Sequence, residues 1–162
     1  MSECFQEFDS AKHLSPDADA IELAIWFHDA IYDTHRADNE EVSAHLAKDW
    51  LTDARARDAV RERVVSLVLA SKHAAAPEEA NAKLFADVDL SILGQTEERF
   101  AEYERQIRLE YDWVPEQIFA AKRAKILEHF LARPTIFSTD NFRTRYEAQA
   151  RRNLEASIRH LR

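Results

Sequence analysis

His28 and Asp29 stand side by side in Ala24-Ile25-Trp26-Phe27-His28-Asp29-Ala30-Ile31-Tyr32-Asp33, the most apolar part of the first third of the chain. An uncompensated charge there would be costly. On a helix, Ile21, Ala24, Ile25, His28 and Ile31 fall on one face at i, i+3, i+4, i+7 spacing, which turns the His28 ring inward and leaves Asp29 beside that stripe. Imidazole nitrogen next to carboxylate oxygen suits a borderline to hard divalent cation. The pair also reads, by itself, as a core histidine with a hydrogen-bonded neighbour. Asp87 and Asp89 interrupt a second apolar run, Leu84 to Leu93. Asp89, flanked by Val88, Leu90 and Leu93, is the one expected to face inward, the alternative being a helix start with Asp87 as N-cap. His73 closes a third apolar segment on the side of Val65 and Leu69, where a helix dipole alone would favour it.

The elements that must position these residues are helices. One glycine and four prolines leave almost no material for hairpin turns, phosphate-binding loops or a dinucleotide fingerprint. The expected fold is all-α, a single domain over residues 1–162 with about seven or eight helices. A chain of 162 residues is long enough to bury about 68–70% of the surface its unfolded form exposes. The lone cysteine, Cys4, excludes an internal disulfide and a thiolate zinc cluster, so a reducing, cytoplasmic setting is expected. No long uncharged apolar run is present, and the acidic N-terminus does not read as a signal peptide. A net charge of −8 disfavours nucleic-acid polymers and anionic membranes and favours a small ligand.

In chain order, residues 2–13 carry Cys4, Phe5, Phe8 and Ala11 at helical spacing. Ser15-Pro16 predicts the start of a helix running to about Asp33. Asp38 and Glu41 predict an acidic capping box for a helix from Asn39 to about Leu51, packed through Val42, Leu46 and Trp50. The next helix, about Ala56 to Ser71, is apolar on nearly every side from Val64 to Ala70 and reads as central and surrounded. Gly94 is expected to close the following run as a C-terminal cap. Three charged amphipathic helices follow: Thr96 to about Trp113, Pro115 to about Arg133, and Asp140 to about Leu161. Arg151, Arg152 and Arg159 read as a solvated face.

Trp26-Phe27-His28-Asp29-Ala30-Ile31-Tyr32-Asp33, Asp38-Asn39-Glu40-Glu41, Ser43-Ala44, Lys72-His73, Asp87-Val88-Asp89-Leu90-Ser91-Ile92-Leu93-Gly94 and Tyr103 through Ile107-Arg108 to Glu110-Tyr111 resemble the HD superfamily. The likeness is to a bacterial branch of predicted metal-dependent phosphohydrolases, and it extends to Arg123, Ile136-Phe137 and Ala150-Arg151-Asn153-Leu154. It implies an HD-type helical bundle, with a metal-site core over about 16–94 and C-terminal helices over about 96–162. It implies a divalent metal cofactor (manganese, iron, nickel, zinc or magnesium) held by His28, Asp29 and Asp89, with His73 as a further ligand or phosphate contact. Asp33, Glu40 and Lys72 would lie nearby in catalytic roles. Arg36, Arg108, Tyr111 and Arg123 would be substrate-facing, although aromatic and arginine residues at helical spacing equally serve packing and surface ion pairs.

The implied activity is hydrolysis of a small phosphorylated compound, such as a nucleotide, with self-association into a homo-oligomer left open. The resemblance also implies one more histidine ligand on a helix ahead of the His-Asp pair. The only histidine there, His13, is too near His28 in sequence. Two expectations follow: a start that lies just beyond that ligand, or an HD scaffold that has lost it and binds a small ligand or protein partner without catalysis.

Overall fold

The computed structural model describes residues 2–162. Eight α-helices and two short 3-10 helices make up its regular structure, and no strand occurs among the described residues, so the chain is an all-α bundle. No helix among them is long and apolar enough to cross a membrane. The chain divides into two compact units, Met1–Asp89 and Leu90–Arg162.

The N-terminal unit comprises α1 (Ser2–Ala11), α2 (Ala18–Phe27), α3 (Asn39–Asp53), α4 (Asp58–Ala70) and α5 (Ala80–Asp89). Its core is built from Phe8, Ile21, Ile25, Val64, Leu67, Val68, Leu84, Phe85 and Val88, all essentially inaccessible to solvent. α2 starts later than Ser15-Pro16 suggested. Asp17 is the N-cap and accepts from the Ala20 amide at 3.3 Å, while Ser15 Oγ accepts from the Asp17 amide and donates to Asn81 Oδ1, both at 3.0 Å.

α2 also ends at Phe27 rather than near Asp33. The apolar pattern does continue through Ile31, but the Ile31 amide donates to Ser43 Oγ at 3.0 Å and the hydroxyl reaches back to the Ile31 carbonyl at 3.3 Å. A side chain on α3 thus satisfies backbone groups that would otherwise continue the helix.

α3 buries Ser43, Ala44, Ala47 and Leu51 and leaves Leu46 and Trp50 exposed, which corrects the expected packing through Val42, Leu46 and Trp50. Small side chains on the buried face let α3 lie against α4. The expected capping box does not form, because Asp38 is engaged by Arg36 and Glu41 by Lys72. At its other end α3 closes in a Schellman motif. Ala56 N–H bonds the Leu51 carbonyl and Arg55 N–H the Thr52 carbonyl, both at 2.9 Å, with Arg55 at φ 56° in the position usually given to glycine. α4 is not surrounded: Val64, Leu67 and Val68 are buried while Leu69 is exposed.

The C-terminal unit begins with a 3-10 helix, Leu90–Gly94, followed by α6 (Glu97–Glu110), α7 (Glu116–Leu131) and α8 (Asp140–Leu161). Thr96 and Thr139 cap α6 and α8. Gly94 ends this 3-10 helix, as expected of a C-terminal cap, but without a positive φ. It is glycine because α8 passes directly over it: a Cβ there would lie 2.5 Å from Tyr146 Cβ. Asn153, buried on α8, donates to the Leu93 and Gln95 carbonyls at 2.9 and 2.8 Å, satisfying backbone that the 3-10 helix leaves open.

Arg151, read from sequence as part of a solvated face, holds the α7–α8 connection instead. Its guanidinium donates to the carbonyls of Leu131, Arg133 and Pro134, and its ion-pair partner Glu147 accepts the Ile136 and Phe137 amides.

Candidate metal centre

The N-terminal unit brings His28, Asp29, Asp89 and His73 together. His28 is the C-cap of α2 and is buried, with its ring edge-on to Phe85. Its Nδ1–H donates to the Ile25 carbonyl at 2.9 Å, so Nε2 is the nitrogen presented to the carboxylates. Nε2 lies 3.2 Å from Asp29 Oδ2 and 3.4 Å from Asp89 Oδ1.

A carbonyl on one ring nitrogen and carboxylates on the other favour a proton on each. Burial pushes the ring toward neutrality, but Asp29 and Asp89 outweigh it and raise its pKa to about 11. Burial likewise works against the Asp89 carboxylate, and His28 and His73 overcome it, holding that carboxyl well below the usual range.

Asp89 closes α5, the end of a helix where a carboxylate is disfavoured by the dipole. Two imidazoles compensate it. His73 Nε2 donates to Asp89 Oδ2 at 2.8 Å. Asp87, the alternative to Asp89, is buried elsewhere on the same helix with a partner of its own. Both aspartates thus belong to the end of α5, not to a helix start.

His73 lies beyond the end of α4 at φ 50°. A non-glycine residue pays for that left-handed conformation, and such costs concentrate where a side chain has a task.

The donor set fits a divalent cation in its chemistry. Two imidazoles and two carboxylates are ordinary ligands for first-row metals, and a backbone carbonyl on the far ring nitrogen is the usual device for fixing the ligating tautomer. Adjacent ligands of one such ion, each about 2.1 Å from it, stand about 3.0–3.4 Å apart, which the His28–Asp29 and His28–Asp89 separations match. Among the described residues, however, no group of three or more His, Cys, Asp and Glu side chains stands ready to hold an ion. His28 Nε2 faces Asp29 and Asp89 directly, and a metal held there would take the place of those contacts.

The other residues singled out from sequence fall into three settings. Asp33 accepts from the His35 amide at 2.9 Å, while its backbone is bracketed by Asn39; the amide and ring of His35 lower its pKa. Arg36 forks onto both Asp38 oxygens at 2.9 Å. Lys72 is paired with Glu41 and feels the charges of Glu40 and Asp38, so the start of α3 and the end of α4 form one exposed belt of alternating charge.

Arg108, Tyr111 and Arg123 lie in the C-terminal unit. Arg108 donates to Glu116 and to the Tyr111 and Val114 carbonyls, and lies over the Phe119 ring. Tyr111 packs against Trp113 and Phe119. Arg123 forms a mostly buried pair with Glu104 at 2.5 Å and covers Tyr103.

Sequence reasoning placed Cys4 on a helix but gave it no part in the site. α1 carries it into electrostatic reach of the cluster, where burial and then the charge of Asp89 raise its thiol pKa. Phe5, the next residue, packs on Trp26 at 4.9 Å. His13 lies in an exposed 3-10 turn. Compared with protein-family models, with curated proteins and with solved structures, the chain matches none.

Proposed function

We propose that this chain is a metal-dependent phosphohydrolase of the HD type, acting on a small phosphorylated compound such as a nucleotide. The observation that carries the reading is the convergence of His28, Asp29, Asp89 and His73, with the His28 tautomer fixed by Ile25 and His73 in a conformation that costs backbone energy. Those four residues would hold the metal. A divalent cation supplies Lewis acidity toward a phosphoryl oxygen and a water of lowered pKa.

The chain's own residues supply the rest. Hydrolysis forms a bond from water oxygen to phosphorus, breaks the phosphorus–oxygen bond to the leaving group, and sends the water proton to a carboxylate. Asp33 and Glu40 are the carboxylates assigned to that proton. Lys72 and Arg36, whose partners Glu41 and Asp38 are exposed, can exchange them for phosphate oxygens. A small substrate in a reducing, cytoplasmic setting agrees with the charge of −8 and the single cysteine. Neither a nucleic-acid polymer nor a membrane is part of the reading, and a homo-oligomer is compatible with it.

A second reading, a non-catalytic HD scaffold, is favoured by the contacts within the cluster: His28 and His73 already partner Asp29 and Asp89 as a hydrogen-bonded network. Elemental analysis separates the two. The purified chain is assayed as isolated and after incubation with manganese, iron, nickel, zinc or magnesium and desalting, alongside hydrolysis of 4-nitrophenyl phosphate. The enzyme reading expects about one retained metal per chain or more, and loss of both metal and turnover in Asp29→Ala with helicity intact. Unchanged turnover in that variant would overturn it, and no metal under any condition would favour the scaffold.

A further inference from the structure

Three helices of the N-terminal unit leave a strip of large apolar side chains in water. Trp26 on α2 is 56% exposed, Trp50 on α3 54%, and Leu46, one turn before it, 42%. The strip is continuous. Phe5 on α1 packs on Trp26 at 4.9 Å, and Phe27 packs on Trp50 at 5.7 Å. Leu23 lies one turn before Trp26 and Phe27 and fills the angle between them on α2, so α1 borders one side of that helix face and α3 the other. Half of each tryptophan alone leaves roughly 250 Å2 of ring surface uncovered. With the leucines and phenylalanines the strip reaches the size, on the order of a few hundred Å2, that marks a binding surface rather than scattered apolar residues.

The charge around the strip selects its occupant. Residues 1–89 hold nineteen of the chain's thirty acidic residues but nine of its twenty-two basic ones. Asp9 stands one turn from Phe5, Glu22 from Trp26, Asp49 from Leu46 and Asp53 from Trp50. Glu22 is paired with Lys12 and Asp49 with His45, while Asp9 and Asp53 face solvent. Lys48, the only lysine or arginine of α3, projects from another side of that helix, two residues from Trp50. A second copy would bring two such acidic surfaces together, and the strip is well short of the ~800 Å2 per partner of a stable interface. An anionic membrane is repelled for the same reason. A helix of fourteen residues is about 21 Å long and 10 Å wide, a footprint that the strip can cover. With no sheet edge among the described residues to extend, a docking segment must satisfy its own backbone, as a helix does.

We propose that this strip docks a cationic amphipathic helix of a partner protein, its apolar face on Trp26, Trp50 and Leu46 and its lysines or arginines along the Asp9 and Asp53 margins.

The test is isothermal titration calorimetry of the whole chain with a capped peptide of about fourteen residues, leucine and lysine at helical spacing. Two control peptides accompany it: one of the same composition with the helical period scrambled, and one with glutamate in place of lysine. Saturable one-to-one binding of the amphipathic lysine peptide is expected, with both controls weaker by roughly tenfold or more. Trp26→Gln with Trp50→Gln should weaken it by a similar factor. Asp9→Lys with Asp53→Lys should weaken it more at low salt than at high. All four positions are exposed, so thermal melts near the parent are expected. The comparison of the three peptides on the unaltered chain stands even if a variant melts early. No saturable binding, a control that binds as tightly as the lysine peptide, or full affinity in the tryptophan variant would overturn the proposal. So would a dimer in sedimentation equilibrium that the tryptophan variant loses, which would give the strip to a second copy.

Discussion

His73 Nε2 donates to Asp89 Oδ2 across 2.8 Å, and it does so from a backbone at φ 50°. A glycine would relax that backbone but leave Asp89, at the C-terminal end of its helix, with one donor fewer. His73→Gly therefore separates two roles. If the histidine only closes a helix, the variant should gain up to about 1 kcal/mol and bind metal as the parent does. Our expectation is a melting temperature within a few degrees of the parent and a clear loss of retained metal, read by denaturation and elemental analysis on the same samples.

Stability should depend on pH in a characteristic way. His28 has a folded pKa of about 11, above its unfolded value of about 6.5, so its contribution is complete below about pH 6.5 and is lost as pH rises toward 11. Asp89 is depressed, so its contribution is present above about pH 4 and is lost on acidification. The metal-free chain should thus be most stable between about pH 4 and 6.5 as far as this pair is concerned, and should weaken by up to about 1.4 kcal/mol per pH unit above that window. Urea midpoints from pH 5 to pH 9 measure it. A His28→Asn control should lack the alkaline slope, and an equal slope in that control would show that other groups cause it.

Arg55 occupies the left-handed position of the α3 Schellman motif with its side chain exposed. Arg55→Gly removes the steric cost and disturbs none of the hydrogen bonds at that end. A gain of about 0.5–1 kcal/mol in chemical denaturation is expected.

Gly94 presents the opposite case. An alanine Cβ would lie 2.5 Å from Tyr146 Cβ and 3.0 Å from its Cα, and a backbone atom cannot yield as a flexible side chain does. Gly94→Ala should cost about 2 kcal/mol or more, through displacement of α8 from the Leu90–Gly94 turn. A loss below about half that value would mean the two segments separate easily.

What could be read from residues alone was local. α8 runs from Asp140 to Leu161 as its amphipathic pattern indicates, and α6 begins at Glu97, one residue after the expected start at Thr96, which serves as its N-cap. The His28 stripe was legible because α2 keeps its 3.6-residue period up to that point. The misses are tertiary. Ser43, twelve residues downstream, ends α2's influence at Ile31. Trp50 and Leu46 look like core residues by type, yet the face that α3 buries is Ser43, Ala44, Ala47 and Leu51. Gly94 carried a turn signal, but its cause is a residue on another helix. Asp89 facing both histidines was legible only as an anomaly of charge in an apolar run. No spacing rule could reveal that the carboxylates suggested as co-ligands of His28 would also raise its pKa.

The Glu147–Arg151 pair gives the α7–α8 connection an unusual character. Residues 132–139 form no helix, yet the Ile136 and Phe137 amides both end on Glu147, and the Leu131, Arg133 and Pro134 carbonyls end on Arg151. In hydrogen exchange the Ile136 and Phe137 amides should behave like helical ones and open only when α8 opens. Glu147→Gln should turn them into fast-exchanging sites while α8's interior stays slow. The connection is therefore part of the cooperative unit that contains α8, and a protease cutting at exposed, irregular chain should find little purchase there.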